Sequence, residues 1–142
     1  VISHFIFFSE RVLGLLELKW AKVIYPKDKL MCETDVLARL ETKDGKCVNI
    51  LASVGGAQPD RQEMTVRGAA KSRRISEFYK DSESNGLEFI PLREEPKDPR
   101  AVSLKAQLDD LEKVYNGHPN KLATVDEALR VQVLIESILA SN

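Results

Sequence analysis

Cysteine is scarce. The 142 residues include only Cys32 and Cys47, too few for a disulfide framework. Neither has His or Cys companions at metal-ligand spacing, which argues against zinc. Reduced thiols in a cytoplasmic protein are the expectation. Long apolar runs are missing too: none approaches the ~20 residues that span a bilayer. The opening Ile2–Phe8 is apolar, but it has no basic leader and no small-residue cleavage site, so it does not read as a signal peptide. Neither sign of charge is in excess. Lys and Arg total 21 against 22 Asp and Glu, for a formal net charge of −1. A broad electrostatic footprint for nucleic acid needs a basic excess, so neither nucleic acid nor a membrane is expected as a partner. Glycine-rich phosphate loops of both common patterns are absent, so no cofactor-binding residue is assigned.

What is there is an ordinary globular mix, 43% hydrophobic and 30% charged. The length fits one domain over 1–142. The chain begins at Val1, not Met, inside what reads as a helix. The expectation is a piece of a longer protein.

The stretch from Thr34 to Pro91 reads as short strands joined by turns. Val36, Ala38 and Leu40 alternate with Leu37, Arg39 and Glu41. Asp44-Gly45 closes a hairpin, and Cys47–Ser53 returns, with Val48, Ile50 and Ala52 on one face. Gly55–Asp60 is a loop. Strands resume at Glu63–Gly68, Arg73–Tyr79 and Leu87–Pro91, with Asp81–Gly86 as a polar loop. An earlier strand, Leu18–Tyr25, carries Leu18, Trp20 and Ile24 on one face, and Pro26–Glu33 is a charged connection. Strands without intervening helices make an antiparallel sheet.

Three helices complete the chain. Val1–Leu15 recurs in apolar residues at Ile2, Phe5, Ile6, Val12 and Leu13, with Ser9, Glu10 and Arg11 turned away. Asp98-Pro99 starts a second helix with an N-cap and a proline at N1. Its stripe is Leu104, Leu108, Leu111 and Tyr115, and Gly117 ends it. Thr124 and Glu127 form a capping box for the third, whose buried side is read as Ala128, Val131, Ile135, Ile138 and Leu139. The fold class is α+β, a large mostly antiparallel sheet with helices on one face and the other face open. A dimer or larger assembly is expected through the open face, at Leu37, Leu51 and Met64.

Chemistry-bearing residues are few. Arg67, Lys71, Arg73 and Arg74 form a local basic run, read as a solvated strand edge. His118 lies in a turn. His4 sits in the first turn of an apolar helix. Two roles stand for it: a structural histidine with a partner, or a proton-exchanging catalytic group. No Ser, Cys or carboxylate at short sequence range forms an evident triad with it, so a hydrolase is disfavoured.

The order of elements and several short phrases carry a resemblance. Ser3-His4 opens a helix that ends Val12-Leu13-Gly14. A strand follows, then a pair around Asp44-Gly45, then Val66-Arg67-Gly68-Ala69-Ala70, and a closing helix from Thr124-Val125-Asp126-Glu127-Ala128-Leu129 to Ile135-Glu136-Ser137-Ile138. Together these resemble the C-terminal domain of the glucose–fructose oxidoreductase/inositol dehydrogenase (Gfo/Idh/MocA) family, over essentially the whole chain. The resemblance implies a Rossmann domain, outside this chain, that binds NAD or NADP. It implies a substrate-binding and oligomerisation domain here, and a sugar- or polyol-like substrate. It also implies that a histidine matching His4 handles a hydroxyl proton, with a lysine outside this chain, while hydride passes to nicotinamide. Where many members carry Gly and Asp around that histidine, this chain has Ile2 and Phe7, which implies a more apolar pocket. The alternative is a non-catalytic ligand-binding or scaffold module of the same fold.

Overall fold

The computed structural model describes residues 1–28 and 30–141. Lys29, in the charged connection Pro26–Glu33, lies outside the described residues. The fold is α+β and its sheets are antiparallel. The element order is α1 (Ile2–Leu13), β1 (Leu16–Ile24), β2 (Asp35–Thr42), β3 (Cys47–Ser53), β4 (Glu63–Arg67), β5 (Ser72–Ser76), β6 (Lys80–Ser84), β7 (Ile90–Pro91), α2 (Pro99–Tyr115) and α3 (Val125–Leu139). The strands form two sheets, β1-β2-β3 and β4-β5-β6-β7, where the strand pattern suggested one. The loop around Gly55 and Gly56 separates them. The chain divides into two compact units at the end of that loop, Val1–Gln58 with Ala123–Asn142, and Pro59–Leu122.

The first unit is a three-stranded sheet with α1 and α3 on one face. Alternation puts Val36, Ala38, Leu40 and Thr42 of β2 on that face, and all four are buried. Val48, Ile50 and Ala52 pair with Leu40, Ala38 and Val36 across the ladder, so one apolar layer runs over both strands. Ile6 of α1 and Val131 and Ile138 of α3 close over it. Leu40 and Ile6 are the largest fully buried side chains. Fully burying a Leu or Ile side chain is worth about 1.5–3 kcal/mol, so these two hold the helix layer to the sheet.

Three details of this unit differ from the periodicity. Leu18 and Trp20 do not share a face. The β1–β2 register shifts between them, at a bulge that spares Lys19 a partner. One extra residue flips every later side chain. Leu18 therefore packs on the core, while Trp20 pairs with Arg39 on the outer face. Ser9 does not face away: it is buried, on the α1 row with Ile2 and Ile6 that meets the core. Ala128, read as buried, is exposed. The Asp44-Gly45 hairpin forms as expected. Gly45 takes φ 83°, and the Thr42 and Lys46 backbones close the ladder at 2.9 Å.

The second unit is held more by charge. Its sheet pairs β4 with β5, β5 with β6 and β6 with β7. The segment Asp81–Gly86, read as a loop, contains most of β6. Its residues alternate without an apolar face, so hydrophobic periodicity has nothing to detect. What pairs it is a charge ladder, in which Glu83 lies opposite Arg73 in register at 3.0 Å and also meets Lys71 at 2.6 Å. The turn before it was equally silent. Glu77 and Phe78 both take positive φ, 52° and 64°, between Ser76 and Tyr79 at a 3.2 Å backbone bond. Ser76 lies opposite Lys80 in register, so the connection is a three-residue hairpin loop, and its first two residues take the left-handed conformation that Asn or Gly usually supplies. Here neither residue is Asn, Asp or Gly, so the reading ran Arg73–Tyr79 on as one strand.

α2 belongs to this unit. The Asp98 side chain caps it, accepting from Arg100 and Ala101 N–H at 3.0 Å. It ends in a Schellman motif: Gly117 N–H donates to Val114 C=O, His118 N–H donates to Lys113 C=O, and Gly117 sits at φ 69°. None of its residues is buried.

Candidate active site

His4 lies in the first turn of α1, and Val1 is the N-cap without a side-chain cap. The His4 backbone N–H donates to Val1 C=O at 3.1 Å. Ser3 Oγ stands 3.5 Å from His4 Nδ1. The residue is exposed, so its polar ring needs no burial partner of the kind its apolar neighbours suggested. One turn on, Phe7 is half-buried against the core. The Arg11 guanidinium covers its ring at 4.6 Å, and the Phe8 ring lies 6.0 Å away.

The helix that carries His4 is fixed by charge at its other end. Arg11 Nε and a terminal guanidinium nitrogen each reach a Glu127 carboxylate oxygen at 2.9 Å, a fork that joins α1 to α3. Glu127 serves twice. Its carboxylate also accepts from Thr124 N–H at 2.8 Å, completing the capping box. The Arg11 hydrogen bond, then the Thr124 N–H, hold the Glu127 carboxyl at about 2 against an ordinary 4.5. Beside it, Glu10 accepts from Leu16 N–H at 3.2 Å and lies 3.6 Å from Arg130 Nε. Glu10 thus ties the end of α1 to the start of β1 and to α3. Lys46 Nζ bonds the Leu13 carbonyl at 3.2 Å, placing a cation at the negative end of the helix. Sequence reasoning identified only the capping role of Glu127. The cross-helix ion pairs have no sequence signal, because their partners lie more than a hundred residues apart.

Three residues of the basic run, Lys71, Arg73 and Arg74, are paired with carboxylates. Arg73 faces Asp81 and Glu83, Lys71 meets Glu83, and Arg74 meets Glu63 at 3.3 Å. Lys71, then Arg73, lower the Glu83 carboxyl. Arg73 and Arg74 lie on β5, an inner strand, and form the basic half of a ladder, while Arg67 ends the edge strand β4. Cavities occur among the described residues of this second unit. One of about 230 Å³ is lined by Arg74, Tyr79, Lys80, Phe89 and Arg93 among others. Another, of about 130 Å³, adjoins Glu77, Lys80 and Glu95. In the first, Arg74 stacks on Phe89 at 3.8 Å, and Lys80 is held by Glu77 and Glu95. His4 lines neither cavity. No group of three or more His, Cys, Asp or Glu that could hold a metal ion occurs among the described residues. No described helix is long and apolar enough to cross a membrane.

The N-termini of α2 and α3 do not offer a dinucleotide a phosphate site. Pyrophosphate binds free N–H groups at a glycine-lined helix start. At α2 those N–H groups belong to the Asp98 carboxylate, and at α3 to Thr124, with Glu127 beside it. Both starts present negative charge.

No protein-family model matches the sequence, and no curated protein matches it. Solved structures do. The 3-ketoreductase KijD10 of Actinomadura kijaniata, solved with NADP and TDP-benzene, superposes with a TM-score of 0.70 at 17% identity, over 98% of this chain and 45% of that one. The dehydrogenase MviM of Clostridium difficile gives a TM-score of 0.76 at 12% identity, over 96% and 45%. The WlbA dehydrogenase of Bordetella pertussis, in complex with NADH and UDP-GlcNAcA, gives 0.67 at 15%, over 96% and 42%. This chain thus spans less than half the length of the proteins it resembles, and over nearly all of its own length it has the fold found in Gfo/Idh/MocA-type oxidoreductases.

Proposed function

We propose that this chain is the substrate-binding and oligomerisation domain of an NAD(P)-dependent oxidoreductase that acts on a sugar- or polyol-like hydroxyl or its ketone. The observation that carries this reading is the fold match across 96–98% of the chain to oxidoreductases more than twice as long. Two of those proteins were solved with NADP or NADH together with a nucleotide-linked ligand. The dinucleotide supplies or accepts hydride when bound. Its binding belongs to a part of the parent protein outside this chain; the capped starts of α2 and α3, which disfavour phosphate, support that reading.

Within this chain His4 is the candidate catalytic residue. An exposed imidazole at the end of a fixed helix can take the proton of a substrate hydroxyl during oxidation, or return it to the alkoxide during reduction. Phe7 offers the same substrate an apolar wall. Arg11, Glu127, Glu10 and Arg130 are positioning residues that hold α1 to α3. The outer sheet face supplies the oligomer contact. Leu37 and Leu51 pair directly across β2 and β3, are 44% and 81% exposed, and adjoin Trp20 and Ile24 on the same face. Exposed apolar sheet of this kind marks an interaction site.

The test is turnover by the full-length product with a nucleotide-linked keto-sugar and NADPH or NADH. His4→Ala should lower kcat by roughly 10²–10⁴-fold with a smaller change in KM. His4→Ala that leaves kcat intact removes the proton role. One feature favours the scaffold reading as runner-up: His4 stands outside both described cavities. On that reading no variant of His4 alters any measured rate, because there is none.

A further inference from the structure

A second surface, independent of the sheet face, lies on α2. Leu104, Leu108, Leu111 and Tyr115 recur at four-, three- and four-residue spacing, and Ala101 precedes them by three. That is the alternation of a coiled-coil seam. A helix that exists to cover a core buries such a row. Here Leu104, Leu108 and Leu111 are 56%, 54% and 54% exposed and Tyr115 is more so. Both ends of the helix are capped within this chain, by Asp98 and the Gly117 turn.

We propose that α2 pairs antiparallel with α2 of a second copy of this chain. The flanking charges choose both partner and direction. Lys105 follows Leu104 and Glu112 follows Leu111, so both occupy the same edge of the seam. In an antiparallel pair this edge meets itself. Lys105 lies opposite Glu112 of the second copy and the reverse, two ion pairs about a two-fold axis between Leu108 and Leu111. Leu108 then packs on Leu111, and Leu104 on Tyr115. In a parallel pair the opposite edge would face this one, setting Arg100 against Lys105, like against like. Lys105 is exposed and bonds Asp109 one turn on at 2.7 Å. An ammonium has three donors, so it can hold a second carboxylate. The 17-residue helix is roughly 25 Å long, a short seam suited to a weak, salt-sensitive dimer.

The experiment is sedimentation velocity of the chain carrying Leu51→Asp, which removes association through the sheet face and leaves α2 untouched. Dimer at ~100 μM, weakened by salt, is expected. Lys105→Glu and Glu112→Lys should each weaken it on the order of tenfold, since each sets like charges opposite. An equimolar mixture of the two variants should restore it, as should the double variant, because both arrangements return opposite charges to register. Circular dichroism unchanged from the parent establishes that the variants fold. A strict monomer with Leu51→Asp alone overturns the α2 proposal and leaves the sheet-face dimer standing. So does association indifferent to both charge reversals, or a mixture that does not recover.

Discussion

At the scale of single residues, charge placement governs what this chain does under stress. Glu127 joins two devices, the α3 cap and the fork to Arg11. Its carboxyl titrates at about 2 when folded and near 4.5 when not. A depressed carboxylate stabilises the fold fully above its unfolded value and loses that contribution as pH falls toward its folded one. Stability should therefore decline between about pH 4.5 and 2. In Glu127→Gln that decline should be shallower, read as urea midpoints against pH that converge with the parent's at the acid end. A parallel decline in the variant would assign the acid limb to other groups. Glu77 gives a second test. A non-glycine residue at positive φ is strained, and Asn tolerates that region better. Glu77→Asn should raise stability by about 0.5 kcal/mol and Glu77→Val should lower it by about 1 kcal/mol, measured by chemical denaturation. Neither residue of this turn was legible in the sequence, because the φ values are imposed by the strands on either side.

At the scale of elements, legibility followed hydrophobic contrast. β2 and β3 alternate apolar with polar residues, so their faces and register were readable and the structure has them. The capping box at Thr124 and the stop at Gly117 were readable because each device is local. β6 was not, since Arg73–Glu83 and Lys71–Glu83 replace an apolar face with paired charge. The β1 face was misread past Lys19 because a bulge depends on the partner strand. His4 was singled out by residue type and position, and its exposure was not foreseen. The core itself invites a direct test. Leu40 is fully buried beneath Ile6 and the α3 residues. Leu40→Ala should cost about 2–5 kcal/mol, seen as a lowered denaturation midpoint, while the outer-face Leu37→Ala on the same strand should cost far less in a monomer.

At the scale of the whole molecule, the chain carries two exposed apolar surfaces, one on each unit. The outer face of the first sheet has Trp20, Ile24, Leu37 and Leu51, and α2 has its leucine seam. Leu51→Asp should reduce association through the sheet without loss of helix content, since its side chain is 81% exposed. Sedimentation of that variant beside the parent at ~50 μM should show a smaller mean mass. An unchanged mass would mean that the sheet face does not pair.

The central claim is that this chain works as one part of a dinucleotide-dependent oxidoreductase. The most direct test is to titrate the full-length product with NADPH and NADH and follow nicotinamide fluorescence, with the 142-residue chain alone as the companion titration. The expected result is saturable binding of at least one dinucleotide by the full-length protein and none by the chain alone, whose α2 and α3 starts are capped by Asp98 and Thr124. Absence of binding by the full-length protein would contradict it, and would leave the fold as a scaffold.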